Sequence, residues 1–299
     1  MASYDIILIT EIRFEKPKLL TDYISNVLLE DEILTKALEK RGLRVGRFDW
    51  DRQDINWSES RFILLRTPWN YHRKWDAFFS WFEKTQKESQ FINPVSTVIW
   101  NLDKRYLFDL LKKGVNIAPT IILEKGSTKN LDQCFDELAC EELVLKPVIS
   151  AGGRDTYRIS KENSHEHTKR FKELIASEAM MVQEFQQNVP LEGEISLMFF
   201  GGKYSHAVLK KAKKGDFRVQ DDFDGTVHDH IATKEEMDFA LHAIKQIDPI
   251  PVYARVDIFR DNKGKLALAE LELIEPELWF RNDPASADLL AEEIVALML

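Results

Sequence analysis

Two apolar stretches between residues 252 and 273 each carry a pair of charged side chains in their interior, and a short Asp261-Asn262-Lys263-Gly264 turn joins them. Strand side chains alternate with period two. Arg255 and Asp257 therefore share one face of a strand from Val252 to Arg260, and Glu270 and Glu272 share one face of a strand from Lys265 to Leu273. A hairpin brings those faces together. Three carboxylates beside a run such as Leu266-Ala267-Leu268-Ala269 are costly to bury unpaired. A hard divalent cation relieves that cost, since Mg²⁺ takes carboxylate oxygens, keeps part of its water shell and bridges phosphates. The competing reading is a polar outer face neutralised by nearby lysines.

The rest of the chain supplies an α/β frame. Asp5 to Thr10, Leu43 to Asp49 and Arg61 to Arg66 read as strands. They alternate with helices at Asp31 to Arg41 and Tyr71 to Lys87, the rhythm of a parallel sheet with flanking helices. Asn93-Pro94 interrupts it. A helix is expected from Asn101 to Gly114, with Lys104 in its first turn. Strands at Thr120 to Leu123, Leu143 to Pro147 and Ala179 to Phe185 follow, with helices at about Leu131 to Ala139 and Ser164 to Ser177. The last third is mostly β: a hairpin of Glu194 to Phe200 and Lys203 to Leu209 around Gly201-Gly202, a helix from Lys234 to Ile247, the charged hairpin, and a helix from Pro284 onward.

Three further features bear on chemistry. Lys146 sits inside the apolar strand Val144-Leu145-Lys146-Pro147, just before the small-residue loop Ser150-Ala151-Gly152-Gly153. Backbone N–H groups of such a loop can approach phosphates, although no P-loop or dinucleotide fingerprint is present; otherwise Lys146 is an edge-strand lysine beside a turn. Met180 to Phe185 ends in Gln183-Glu184-Phe185, and Glu194 opens the next strand, a crossover able to offer backbone groups to a heterocycle and a carboxylate to a diol, or simply a strand end. Lys210, Lys211, Lys213 and Lys214 form either a solvated face or an anion-binding loop. His165/His167 and His228/His230 lack a third ligand at zinc spacing and read as surface residues.

In order and spacing these pieces resemble the ATP-grasp superfamily of carboxylate–amine ligases over about residues 93 to 283. The resemblance implies an α/β (α+β) ATP-grasp fold with an N-terminal parallel α/β pre-ATP-grasp domain. The expected division is 1–95 for that domain, 96–185 for the small lobe with the phosphate loop, and 186–299 for the lobe with the metal site. It implies ATP and Mg²⁺ as cofactors, with Mn²⁺ as an alternative ion. Lys104, Lys146, Ser150, Gly152 and Gly153 would face the phosphates; Gln183, Glu184 and Phe185 the adenine; Glu194 the ribose. Asp257, Glu270 and Glu272 would hold metal, and Arg255, Arg218 and Lys210 would serve the transferring phosphoryl group. Position 272 is Glu where many relatives have Asn. Glu272-Leu273-Ile274-Glu275-Pro276 and Arg66-Thr67-Pro68-Trp69-Asn70-Tyr71 are similar to a small bacterial branch that includes the cycloserine-forming ligases. Arg66, Trp69, Asn70, Tyr71, Arg154 and Glu275 are accordingly the substrate-side candidates. An Arg at the carboxyl end of a strand could hold a substrate carboxylate, or the segment is a structural loop. Arg154 either closes on the phosphates or pairs with Asp155.

The implied reaction is attack of a carboxylate on the γ-phosphoryl of ATP, then displacement of phosphate from the acyl phosphate by an amine. Two lysines, an arginine and Mg²⁺ would neutralise the transferring group, and a closing loop from Ser150 to Thr156 would keep water out. The other readings are a nucleotide-binding protein without catalysis and a kinase of the same fold. A net charge of −9, from 41 basic and 50 acidic residues, argues against a nucleic-acid polymer as partner. No apolar run reaches the roughly 18 residues that span a bilayer, and the start Met1-Ala2-Ser3-Tyr4-Asp5 has no basic signal region. Two cysteines, Cys134 and Cys140, fit a reducing compartment. A cytoplasmic enzyme with small-molecule carboxylate and amine substrates is expected, and a homodimer stays open.

Overall fold

The computed structural model describes residues 3–150, 153–213, 215–219 and 225–298. Gly152 and Lys214 of the expected phosphate and lysine loops lie outside the described residues. Strands β1 (Tyr4–Thr10), β2 (Val45–Asp49), β3 (Ser60–Thr67) and β4 (Gln90–Phe91) form a parallel sheet in the order β2-β1-β3-β4. Ile6 to Ile9 are fully buried, as in a sheet covered on both faces. The helix Asp22–Glu39 begins nine residues earlier than the apolar spacing alone suggests, because the Thr21 hydroxyl accepts the Ile24 N–H at 3.2 Å and caps it.

The aromatic segment after β3 is not one helix. Tyr71–Arg73 is a single 3₁₀ turn and the α-helix starts only at Trp75, after Lys74 at φ −127°. The expected helix from Asn101 also divides. It becomes Val95–Leu102 and Tyr106–Lys112, separated by Asp103 in extended conformation. Asp103 Oδ1 accepts the Arg105 N–H at 2.9 Å, and the Lys104 N–H donates to the Val148 carbonyl at 3.1 Å. The break frees Lys104 from the helix and ties it to the strand that carries Lys146.

Strands β5 (Thr120–Leu123), β6 (Glu142–Pro147), β7 (Tyr157–Ser160) and β8 (Met180–Glu184) form an antiparallel sheet in the order β5-β8-β6-β7. Lys146 therefore lies on an interior strand, not an edge. The third sheet contains β9 (Glu194–Phe200), β10 (Lys203–Lys211), β11 (Thr226–His230), β12 (Tyr253–Arg260) and β13 (Leu266–Glu272), ordered β11-β10-β9-β12-β13. Gly201 and Gly202, at φ 54° and 74°, supply the two left-handed positions of the tight turn between β9 and β10. Strand β11 was not anticipated; it carries His228 and His230, and His230 Nε2 meets Glu236 Oε2 at 2.9 Å.

The final helix, Ser286–Ala296, returns to the first sheet, where Arg41 bonds Glu292 at 2.8 Å. One core containing Ile6, Leu8, Phe62 and Leu64 with Phe200, Tyr253 and Leu290 joins the first and third sheets. Among the described residues no helix is long and apolar enough to cross a membrane.

Candidate active site

All three sheets contribute walls to one cavity of about 650 Å³. The second sheet brings Lys146, Ser150, Gly153, Arg154, Gln183, Glu184 and Phe185 to it; the third brings Glu194, Arg218, Arg255, Glu270, Glu272 and Glu275; the first contributes Trp69, Asn70 and Tyr71. Lys104 enters from the turn between the two short helices. Its ammonium donates to the Ser150 carbonyl at 3.0 Å and pairs with Glu270 at 2.9 Å. Burial opposes the Lys104 charge, but Glu270, Glu272 and Glu275 outweigh it and hold its pKa above the ordinary value. Among the described residues no ion pair is present at Lys146 to do the same. Burial and the neighbouring Lys104 charge push its pKa down to about 8. An anion between the two lysines would repay both effects, so the residues present fit a polyphosphate.

The hairpin places Arg255 opposite Glu272 and Asp257 opposite Glu270. Ion pairing then divides the carboxylates. Asp257 is 2% exposed and takes bonds from Arg255 at 2.9 Å, Lys210 at 3.1 Å and Ser196 at 2.6 Å. Those partners hold its carboxyl down at about 2 against the effect of burial. Glu272 also pairs with Arg255, yet burial, with the charges of Glu270 and Asp257, pushes it up to about 7. Burial and Glu272 push Glu275 up to about 8. Among the described residues no three carboxylates or imidazoles are gathered as a ready metal site. The oxygen-only donors Glu270 and Glu272, with this surplus of negative charge on the cavity wall, fit a hard divalent cation.

Three expected residues lie off the wall. Asp257 sits beneath it, held by the cations just named. Lys210 is 4% exposed and bonds Glu194 at 2.5 Å as well as Asp257, because alternation along β10 turns it inward while Lys211 is exposed. The lysine run is therefore not one surface. Arg66 is 1% exposed; its Nε lies 3.3 Å from Asp31 and its Nη1 donates to the Pro276 carbonyl at 3.1 Å. It ties the first sheet to the segment after β13 and is not among the residues that line the cavity.

Other groups on the wall are held by partners near and far along the chain. Arg154 leans on Glu178 at 2.7 Å more closely than on Asp155 at 3.3 Å. Arg218 pairs with Asp216 at 2.8 Å. Gln183 Nε2 donates to Thr120 Oγ1 at 2.9 Å, and Arg158 stacks 3.9 Å over the Phe185 ring. Asn262, in the hairpin turn, clamps the end of β8: its Nδ2 donates to the Phe185 carbonyl, its N–H donates to Gln186 Oε1, and its Oδ1 accepts the Gln187 N–H, all within 3.0 Å. Glu11, Arg13 and Tyr23 also line the cavity and escaped the sequence reading. Glu11 directly follows β1, so the rule that ligands bind beyond strand carboxyl ends, applied only to β3, would have found it.

Comparisons with known proteins agree with this geometry. Residues 6–93 match the family described as D-cycloserine synthetase DcsG, N-terminal domain. The chain is 30% identical over 280 residues to the cycloserine biosynthesis protein DcsG of Streptomyces lavendulae, covering 87% of this chain and 92% of that protein. The crystal structure of D-cycloserine synthetase DcsG superposes with a TM-score of 0.85 at 26% identity, covering 98% of this chain and 99% of that one. The ATP-grasp ligase PsnB, complexed with a phosphomimetic variant of its minimal precursor, Mg and ADP, shares the fold with a TM-score of 0.65 at 12% identity, covering 99% of both chains.

Proposed function

The chain belongs to the DcsG family of ATP-grasp ligases and is an ATP-dependent carboxylate–amine ligase; from that premise we propose that its cavity joins a small-molecule carboxylate to an amine through an acyl phosphate, with ATP and Mg²⁺. The observation that carries the reading is the meeting of Lys104 and Lys146 with Glu270 and Glu272 on one wall. Lys104 and Lys146 bind the ATP phosphates, with Ser150 and Gly153 beside them. Gln183, Glu184 and Phe185 hold the adenine and Glu194 the ribose. Glu270 and Glu272 would hold Mg²⁺, while Asp257 beneath the wall holds Arg255 and Lys210, and Mn²⁺ would substitute because it accepts the same oxygen donors. The bound ion supplies neutralising charge to the phosphates.

Attack of the carboxylate oxygen on the γ-phosphorus breaks the bond to the ADP oxygen, and Arg255 and Arg218 offset the charge on the transferred group. The amine nitrogen then attacks the acyl carbon, phosphate leaves, and the amine's proton must be lost. The chain divides for this work at about 95 and 185, the first part bearing on substrate and the other two on nucleotide. DcsG's name points to ring closure, so amino acids bearing a second amine, including the compound that opening the cycloserine ring releases, are the first substrates to screen. ADP and an amide must appear together, and only with ATP and Mg²⁺ or Mn²⁺. ADP with an acyl phosphate and no amide marks a kinase, and no ADP with any substrate refutes the reading.

A further inference from the structure

We propose that Glu275 is the receptor for a substrate ammonium group, so that the end of the cavity bordered by the first sheet selects an amino acid by its free amine. This rests on the ligase reading and names the substrate class of the same site. Glu275 is 3% exposed, lines the cavity and has one buried carboxylate oxygen, Oε2, with no hydrogen-bond partner among the described residues. Tyr71, buried and lining the same cavity, opposes the rise of the Glu275 pKa. A buried carboxylate oxygen left bare is costly, and natural sites keep such atoms where a ligand satisfies them.

The surrounding segment is fixed at nearly every polar group. The Leu273 N–H donates to Asn101 Oδ1 at 2.8 Å, the Tyr253 hydroxyl donates to the Ile274 carbonyl at 2.6 Å, Trp69 Nε1 donates to the Glu275 carbonyl at 3.1 Å, and Arg66 holds the Pro276 carbonyl. The first sheet's Arg66-to-Tyr71 segment thus grips the backbone of Glu275 and Pro276, while the buried Glu275 Oε2 stays without a partner among the described residues. That is how a preorganised binding group is built.

The chemistry selects a cation. Among the described residues no Lys or Arg pairs with Glu275, whereas Glu11 and Glu277, on the same wall, already hold Arg13 and Arg281. Trp69 and Tyr23 add aromatic faces, which favour cations over anions. An ammonium entering here favours the ionised carboxylate and makes a charge-assisted hydrogen bond with it, whereas a second carboxylate would only add to the negative charge of Glu270 and Glu272.

The test is calorimetric titration of the full chain, loaded with Mg²⁺ and ADP, with both enantiomers of alanine and serine and with the 2-hydroxy acid that replaces each amine by a hydroxyl. At least one amino acid should bind about tenfold or more tightly than its hydroxy counterpart. Glu275→Gln should erase that difference and leave ADP affinity unchanged. The ligand comparison needs no variant and so survives a misfolded one. Equal binding of the pair, no binding of any amino acid, or an unaltered preference in Glu275→Gln overturns the proposal. So does loss of Mg²⁺·ADP affinity in that variant, which would make Glu275 a metal ligand. Failure of the ligase reading shows separately, as absent ADP release from ATP.

Discussion

Replacing Lys146 by methionine should stabilise the free protein while destroying its nucleotide site. The ammonium lies on an interior strand with burial and Lys104 against it, which carries its pKa from an ordinary 10.5 to about 8. At 1.36 kcal/mol per tenfold change, that displacement is about 3 kcal/mol of penalty on the charged form. The folded pKa lies below the unfolded one. The penalty is therefore present in full below pH 8, fades as pH rises toward 10.5, and is absent above it. Methionine keeps most of the side chain's length without the charge. The expected gain is about 1 to 3 kcal/mol at pH 7, read as several degrees in Tm, and close to nothing at pH 10.5. Mg²⁺·ATP should raise the wild-type Tm and leave the variant's unmoved. A variant less stable than wild type at pH 7, or equally stabilised at both pH values, would refute the reasoning, as would unaltered ATP affinity.

Asn262→Ala should remove the two side-chain bonds at the end of β8, leaving the backbone bond to Gln186, and raise the KM for ATP several-fold with kcat little changed, as steady-state kinetics would read. Arg66→Met should cost about 3 to 5 kcal/mol of stability, by leaving Asp31 with one fewer partner and the Pro276 carbonyl bare; denaturant unfolding checks this, and a change confined to substrate KM would restore the substrate role. Glu236 closes a capping box with Thr233 and meets His230; burial opposes its charge, but those bonds keep its pKa below the usual value. Its contribution is present above about pH 4.5 and lost as pH falls through the lower folded value. Glu236→Ala should therefore cost about 1 kcal/mol at neutral pH and flatten the acid limb of the stability profile.

What the sequence made legible is what period and local chemistry control. The face shared by Arg255 and Asp257, the hairpin at Gly201-Gly202, and Lys146 next to a small-residue loop all follow from alternation and turn residues. What it hid depends on partners far along the chain. Lys104 leaves the expected helix because its N–H finds Val148, forty-four residues on. Arg66 looked like a ligand because an arginine at a strand end is normally solvated, and nothing local announces Asp31 or Pro276. Lys210 read as one of a run of lysines until β10 turned it toward Glu194 and Asp257. Asn262 read only as a turn residue, although its side chain and N–H also secure the end of β8. Strand β11, charged and half-exposed, carries too little apolar pattern to be seen.

The central claim is that a carboxylate is activated by phosphorylation before an amine takes it. Once a substrate that drives ADP release is in hand, its carboxylate can be labelled with ¹⁸O and the inorganic phosphate examined by mass spectrometry. An acyl phosphate carries one carboxylate oxygen away with the leaving phosphate, so each turnover should yield phosphate bearing one ¹⁸O, with label left in the amide. Unlabelled phosphate alongside amide would contradict the account.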